Sequence, residues 1–167
     1  METAGNPMSE PYEETIQGEK SLRLPPGPRH ELVCARLHST LKASVADFTS
    51  TRLLDVRASV KLGGNTVLRP DIALVVTVTG KLWLAAEVVS SEDHKMDTVF
   101  KKEVYETMKL PRLWMIDPRY DNVEVYHASE YGMKLVGILA GRDVLMEKLL
   151  PEFEISVAEL FATAEPE

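Results

Sequence analysis

The 167-residue chain is 44% hydrophobic and 27% charged, with a formal net charge of −7. This composition is typical of one soluble globular domain with tails, and no apolar run approaches the roughly 20 residues that span a bilayer. The single cysteine, Cys34, excludes an internal disulfide framework and a cysteine-based zinc site. We therefore expect a cytoplasmic protein without a membrane partner.

The negative charge is concentrated at the two ends of the sequence. Residues 1–20 carry a net charge of −4, and Glu165 and Glu167 add −2, which leaves about −1 for residues 21–164. Because phosphate contacts come from Lys and Arg, a near-neutral body excludes a broad electrostatic footprint for nucleic acid. It still permits a local basic rim around an acidic metal site.

Residues 1–28 are expected to form a flexible acidic tail and a proline-rich lead-in, followed by one domain over residues 29–164. The start of the chain has few apolar side chains and no periodicity, and the Pro-Pro-Gly-Pro sequence at 25–28 prevents a helix from starting earlier. Because residues 1–17 lack an apolar segment, we expect neither a secretory signal nor a transit peptide.

The first half of the domain predicts one helix and several strands. From Arg29 to Val45, apolar residues recur every four positions, which is typical of a helix packed on a sheet. Residues 52–61, followed by a Gly-Gly-Asn turn signal, predict a hairpin. Residues 72–79 and 82–89 are almost continuously apolar and are joined by a Gly-Lys turn, which predicts two paired strands covered on both faces.

The second half predicts a helix, further strands and a short terminal helix. Residues 93–108 carry an apolar stripe from Met96 to Met108, and a proline ends that helix. Ser156 and Glu159 form a capping box before the final helix. Extended runs lie between these helices at 113–116, 123–127 and 134–139, and from Val144. The predicted fold is therefore α/β, with a mixed β-sheet flanked by helices.

Two acids in the predicted strand pair would destabilise the fold unless a cation or hydrogen-bond donors compensate for their buried charge. Glu87 lies inside an apolar run, where an ionised carboxylate without a partner costs on the order of several kcal/mol. Asp71 begins the preceding apolar run, directly after Pro70. If the two strands form a hairpin, the acids approach each other across it, and such a pair favours a divalent cation that removes their repulsion. Asp71 and Glu87 are therefore the predicted metal ligands.

Asp97, Lys101 and Tyr105 are spaced four residues apart on the predicted helix, so they form one polar stripe. Lys101 is the third predicted catalytic residue, because an ammonium near the acids would position a water and stabilise charge on phosphorus. Asp97 and Tyr105 are candidate accessory residues. His30 and Glu31, at the start of the first helix, are candidate accessory metal ligands or phosphate contacts. Ordinary roles also suit these positions: a helix start for His30 and Glu31, and packing for Tyr105.

An ordered set of motifs runs through the domain. It consists of Pro70-Asp71, Glu87-Val88-Val89-Ser90, Asp97, Lys101, Tyr105, Leu113-Trp114-Met115-Ile116-Asp117-Pro118 and Leu150-Pro151. The helix residues of the set follow Glu87 at intervals of 10, 14 and 18 residues. Over roughly residues 29–162, this set resembles the Uma-type family, which has many paralogues in cyanobacteria and belongs to the restriction-endonuclease-like PD-(D/E)XK superfamily.

The resemblance implies a restriction-endonuclease-like core, with the β-rich last third forming extra C-terminal β-hairpins. It implies a magnesium- or manganese-dependent endonuclease in which Asp71 and Glu87 bind the metal and DNA is the substrate. The position two residues after Glu87, where the superfamily has a lysine, is Val89 in this sequence. The resemblance implies that the helix supplies the lysine instead, as Lys101.

Other interpretations of these residues stay open at this point. Asp71 and Glu87 are also consistent with a hydrogen-bonded buried pair or with a salt bridge to Arg69. Asp97 and Lys101 are consistent with a surface ion pair worth roughly 0.3–0.5 kcal/mol. The alternative function is a catalytically inactive nuclease-fold module for binding or assembly, including a homodimer. A metal-dependent hydrolase of smaller phosphate esters is a third possibility.

Overall fold

The computed structural model describes residues 10–90 and 93–163. Its helices are α1 (Pro28–Ser44), a π-helical segment (Met96–Lys101) that continues into α2 (Lys102–Thr107), and α3 (Val157–Leu160). We call the π-helical segment and α2 together the crossover helix. The strands are β1 (Tyr12–Ile16), β2 (Glu19–Arg23), β3 (Thr51–Leu53), β4 (Val60–Lys61), β5 (Val67–Leu68), β6 (Ile72–Val76), β7 (Leu82–Val88), β8 (Arg112–Asp117), β9 (Asn122–Ser129), β10 (Gly132–Ala140), β11 (Val144–Glu147) and β12 (Leu150–Ser156). Within the described ranges, no helix is both long enough and apolar enough to cross a membrane.

A six-stranded mixed sheet forms the centre of the fold, in the order β10-β9-β8-β7-β6-β3. Its neighbouring strands are antiparallel except for β7 and β8, which run parallel and are joined by the crossover helix. The central strands β6 and β7 are buried along almost their whole length, because both of their faces are apolar. The predicted strand pair and the predicted mixed sheet are therefore confirmed.

Each face of the central sheet is covered by its own apolar cluster. On one face, α1, β12 and α3 pack against the sheet in a cluster that includes Trp114 and Phe153. On the other face, the crossover helix places Tyr105 in a cluster with Ala85 of β7. Because side chains alternate along a strand, Glu87 points to the same face as Ala85. The second face therefore holds both Glu87 and the crossover helix.

The N-terminal segment differs from the flexible tail expected for residues 1–28. β1 and β2 form an antiparallel hairpin, in which Tyr12 lies opposite Arg23 and Ile16 lies opposite Glu19. Both residues of the turn have positive φ angles and the second is a glycine, which suits a two-residue hairpin turn. With β5 and β4, the hairpin forms a four-stranded sheet in the order β2-β1-β5-β4.

Most of the remaining elements agree with the sequence. The segment after residue 61 forms the turn of the β4–β5 hairpin, and the last third of the chain forms the β9–β10 and β11–β12 hairpins. The Ser156 side chain accepts a hydrogen bond of 3.1 Å from the backbone N–H of Glu159, as the capping box predicts. Residues 1–9 of the expected tail and residue 164 of the expected domain lie outside the described residues.

The crossover helix directs towards the core its polar stripe, which lies beside its apolar stripe. Asp97, Lys101 and Tyr105 are buried, whereas Phe100 is about half exposed. The apolar residues from Met96 to Met108 line a groove of about 790 Å³ beside the N-terminal sheet. The polar stripe therefore points into the fold, where its polar groups need partners.

Substitution of Phe153 tests the packing of the core on the α1 face of the sheet. Its ring stacks on Trp114 with a centroid separation of 5.5 Å and is 1% exposed. Because Phe153→Ala leaves a cavity that the core fills only in part, we expect it to lower the free energy of unfolding by about 3–5 kcal/mol in urea denaturation. Met146→Ala, on the paired strand β11 and 62% exposed, is the control and should change this energy by less than about 0.5 kcal/mol. Equal effects of the two substitutions would contradict this packing.

Candidate functional site

Asp71 and Glu87 lie at facing positions of the central strand pair. Ile72 pairs with Ala86 in the β6–β7 ladder, so the next position of each strand brings Asp71 opposite Glu87. Their exposed fractions are 2% and 1%, so both carboxyls are shielded from solvent. The structure thus brings together the two acids that the sequence selects as metal ligands.

Asp71 is surrounded by donors from three segments of the chain. Arg57 Nη1 donates to Asp71 Oδ1 at 2.7 Å, and the backbone N–H of Val88 donates to Oδ2 at 2.8 Å. His30 Nε2 lies 3.6 Å from Oδ2. Burial alone would raise the pKa of Asp71, but the charges of His30 and Arg57 hold it below its usual range. The salt-bridge partner is therefore Arg57 rather than Arg69, whose Nε donates to the Arg57 carbonyl oxygen at 2.8 Å.

Arg57 connects Asp71 to the start of α1. Its φ of 57° lies in the left-handed region, which is unusual for arginine and is maintained here by the contacts of its side chain. Nη2 donates to both carboxylate oxygens of Glu31, at 2.5 and 2.7 Å. Burial alone would lower the pKa of His30, but Asp71 raises it well above its usual range. His30 and Glu31 therefore lie beside Asp71, but the Glu31 carboxylate is hydrogen-bonded to Arg57.

Glu87 is bound by two side chains of the crossover helix. Lys101 Nζ donates to Glu87 Oε1 at 2.8 Å, and the Tyr105 hydroxyl donates to Oε2 at 2.5 Å. Burial alone would lower the pKa of Lys101, but Glu87 and Glu14 raise it above its usual range, so the ammonium stays charged. Burial, together with the charge of Asp71, raises the pKa of Glu87. The helix therefore delivers a charged lysine to the acid pair.

Asp97, the third member of the polar stripe, has other partners. Its Oδ1 accepts a hydrogen bond from Arg23 Nη2 at 2.9 Å, and its Oδ2 accepts one from the backbone N–H of Ser90 at 3.1 Å. Among the ion pairs of the described residues, Asp97 pairs with Arg23 and not with Lys101. The surface ion pair considered from the sequence is therefore absent, and Asp97 anchors Arg23 beside the site.

Glu14 on β1 is a site residue that the sequence analysis missed. Its Oε2 lies 2.8 Å from Lys101 Nζ and accepts a hydrogen bond of 2.7 Å from the backbone N–H of Arg69. Its Oε1 accepts a hydrogen bond from Arg23 Nη1 at 2.6 Å. The available signal was the Gln-Gly turn after this segment, because a hairpin there places Tyr12 and Glu14 on one face of β1.

Tyr12 connects the hairpin to the arginines of the site. The guanidinium carbons of Arg69, Arg23 and Arg57 lie 5.2, 5.7 and 5.9 Å from the centre of the Tyr12 ring. Such cation–π contacts favour arginines placed over an aromatic face. The hairpin therefore covers the arginine that binds Asp71 as well as the lysine that binds Glu87.

The ion pairs of the site contain more carboxylates than cations. Among the described residues, they join the carboxylates of Glu14, Glu31, Asp71, Glu87, Asp93 and Asp97 to the side chains of Arg23, His30, Arg57 and Lys101. With His30 protonated, six carboxylates face four cations in this set, and the raised pKa of Glu87 lets a bound proton offset part of the excess. A divalent metal ion at the acid pair would take over the role of that proton.

A cleft leads from the surface to the Asp71 side of the site. Its volume is about 550 Å³, and its lining includes Arg29, His30, Ser90 and Arg119. Each of these arginines also pairs with an aspartate at the surface. His30 lies between the cleft and the Asp71 carboxylate. The cleft wall therefore carries two guanidiniums that are each partnered by a carboxylate, with the His30 ring beside them.

A second group of potential metal ligands lies on α1. Ligand atoms of His30, Glu31 and Cys34 come within 4.8 Å of one another. Burial raises the pKa of the Cys34 thiol to about 12, and Mg²⁺ and Mn²⁺ prefer oxygen ligands to sulfur. Glu31 supplies the one carboxylate of this group, whereas the acid pair supplies two. The acid pair is therefore the better candidate for an ion that prefers oxygen ligands.

Comparisons with known proteins agree with the fold and with the resemblance seen in the sequence. A model of the family Uma2, described as "Putative restriction endonuclease", matches residues 6–158. The structure is similar to the crystal structure of "a putative nuclease belonging to DUF820" from Anabaena variabilis, with a TM-score of 0.76 and 18% identity over 94% of this chain and 93% of that chain. No curated protein sequence matches the chain. The family resemblance and the nuclease-like fold are thereby confirmed.

Substitution of Lys101 tests whether its ammonium stabilises the buried carboxylates. Lys101→Met removes the cation between two buried carboxylates and keeps an unbranched side chain, so we expect it to lower the free energy of unfolding by about 3–5 kcal/mol. The measurement is urea denaturation of the metal-free protein at neutral pH. Lys95→Met, an exposed lysine directly before the crossover helix, is the matched control and should have little effect. Unchanged stability of Lys101→Met would show that the ammonium does not hold the carboxylates together.

Proposed function

This chain belongs to the Uma2 family, described as "Putative restriction endonuclease", and we propose that it is an endonuclease that hydrolyses DNA phosphodiester bonds with bound Mg²⁺ or Mn²⁺. The observation that carries the proposal is the buried acid pair Asp71 and Glu87, with the Lys101 ammonium 2.8 Å from Glu87. Two carboxylates beside a fixed cation are the groups that metal-dependent phosphodiester hydrolysis needs. We assign the activity to the cytoplasm, since a chain with one cysteine needs no oxidising compartment.

The carboxylate oxygens of the acid pair are suitable ligands for a divalent metal ion. Mg²⁺ and Mn²⁺ prefer carboxylate oxygens, and Asp71 and Glu87 offer them from adjacent, buried strand positions. The surplus of carboxylates over cations supplies the negative charge that such an ion would balance. The groups that now donate to the pair, Arg57, Lys101 and Tyr105, would orient the carboxylates around it.

Each protein group has a definite role in this proposal. When bound, the metal ion would supply an activated water and polarise a phosphoryl oxygen. Lys101, beside Glu87, would orient the attacking water and stabilise the negative charge that develops on the phosphoryl oxygens. Tyr105 keeps the Glu87 carboxylate in one orientation through its hydrogen bond of 2.5 Å. Arg57 does the same for Asp71 at 2.7 Å.

DNA is the proposed substrate because two guanidiniums line the cleft that ends at His30, next to Asp71, where they could exchange their aspartate partners for phosphates. Arg29 and Arg119 lie on its wall, with His30 at its inner end. A polyanion that enters the cleft therefore meets cations before it reaches the acids. Since the acids are almost fully buried, productive binding also requires the surrounding groups to open on this side.

A catalytically inactive nuclease-fold module is the second candidate, and the contacts of the acids favour it. Both oxygens of Asp71 and of Glu87 accept hydrogen bonds from protein donors, an arrangement that is complete without a metal ion. Val89 also stands where the superfamily pattern has a lysine. Such a module would bind or assemble, and the edge strand β10, with Leu135 and Ile138 exposed, offers a surface for a homodimer.

DNA cleavage separates the two candidates. With Mn²⁺ or Mg²⁺, the purified protein should cleave single-stranded or double-stranded DNA, and a chelator should abolish the activity. Glu87→Gln and Asp71→Asn each remove one charge from the pair while retaining its shape, so each should reduce cleavage about 100-fold or more. Glu152→Gln, an exposed acid on β12, is the control and should cleave like the wild type. Gel assays on plasmid and on labelled oligonucleotides provide the measurement.

The contrary result is equally clear. No cleavage of either DNA form with either metal, together with no heat of Mn²⁺ binding in calorimetry, would refute the nuclease proposal. DNA binding or self-association that persists in Glu87→Gln and Asp71→Asn would then support the inactive module.

A further inference from the structure

Glu14 is a buried carboxylate that has no role in the proposed mechanism so far, since it is neither a proposed metal ligand nor a proposed catalytic residue. It lies on β1 of the N-terminal hairpin, and its Oε2 is 2.8 Å from Lys101 Nζ. The adjacent residue, Glu13, is exposed on the opposite face of the same strand. The hairpin therefore directs one particular carboxylate into the site.

The Lys101 ammonium is held from two directions. Glu87 contacts it at 2.8 Å from the central sheet, and Glu14 contacts it at 2.8 Å from the hairpin. Because an ammonium has three donors on a flexible stem, a second carboxylate restricts a position that one carboxylate would leave variable. Glu14 is itself fixed by Arg23 Nη1 at 2.6 Å and by the backbone N–H of Arg69 at 2.7 Å.

A divalent cation at the acid pair would change this balance of charge. Part of the negative charge of Glu87 would then interact with the cation, and the cation would repel the nearby ammonium. Glu14 contacts Lys101 and is not one of the proposed metal ligands. Its charge would therefore stay available to the lysine.

We propose that Glu14 is a positioning residue of the active site, which keeps the Lys101 ammonium beside Glu87 when the metal ion is bound, so that the N-terminal hairpin completes the site. The inference rests on the proposed nuclease function. A hairpin that served only as a cover would not need the buried ion pair of Glu14 with Arg23, because apolar side chains at both positions are often equally stable or more stable.

The test compares steady-state DNA cleavage by the full chain in the presence of Mn²⁺. Glu14→Gln should lower kcat at least about tenfold and change KM less than about threefold, since the contact acts on the lysine that would orient the attacking water and not on DNA binding. The double variant Glu14→Gln/Lys101→Met should be no slower than Lys101→Met alone, because Glu14 acts through the lysine. Glu13→Gln, the same chemical change on the exposed face of β1, should retain the wild-type kcat.

Two further measurements distinguish positioning from loss of the fold or of the metal site. Thermal unfolding followed by circular dichroism establishes which variants are folded. If Glu14→Gln is unfolded, Glu14→Asp replaces it, since Glu14→Asp keeps the charge on a shorter side chain and should still lower kcat at least about threefold. Calorimetric titration should give Glu14→Gln, or Glu14→Asp in its place, a Mn²⁺ affinity within about threefold of the wild type, because Glu14 is not a proposed ligand.

Each contrary outcome has its own meaning. A wild-type kcat in the folded Glu14 variant, or losses that multiply in the double variant, would overturn the role of Glu14 and leave the nuclease proposal intact. A large loss of Mn²⁺ affinity would overturn it as well, by making Glu14 a metal ligand. A wild-type protein that cleaves no DNA would refute the proposed function and the inference together.

Discussion

The buried ammonium of Lys101 joins the crossover helix to the central sheet and to the N-terminal hairpin. It has no exposed surface, and a buried charge costs on the order of several kcal/mol unless partners compensate for it. Glu87 from the central sheet and Glu14 from the N-terminal hairpin are those partners. One charge on the crossover helix therefore fixes three distant segments of the chain against one another.

The same requirement explains why the crossover helix buries its polar stripe. A helix with apolar residues from Met96 to Met108 would ordinarily turn that stripe to the core. Lys101 and Tyr105 instead point inward, because Glu87 would otherwise be a buried carboxylate without donors, which is less favourable than a half-exposed Phe100. The apolar stripe lies along an open groove, and of its residues Val104 and Met108 are partly buried against the core. The apolar pattern of this helix thus predicts a different buried face from the one that the fold uses, and such disagreements are expected at functional sites.

The central part of the site could be predicted from the sequence because its clues are local. Asp71 and Glu87 lie in two apolar runs joined by a short turn, so their proximity follows from strand pairing, and Lys101 follows from helical spacing. The other contacts depend on tertiary structure. Arg57 reaches Asp71 through a left-handed backbone conformation in a segment without periodicity. Glu14 lies in an acidic segment whose composition indicates a tail, and it becomes part of a strand because β5 provides an edge for the hairpin.

The proposed function requires Asp71 and Glu87 to bind a divalent metal ion. Anomalous scattering from crystals of the protein soaked in Mn²⁺ would locate such an ion. We expect an anomalous peak at about 2 Å from carboxylate oxygens of both residues. The absence of a peak at this position, or a peak only at the group of His30, Glu31 and Cys34, would contradict it.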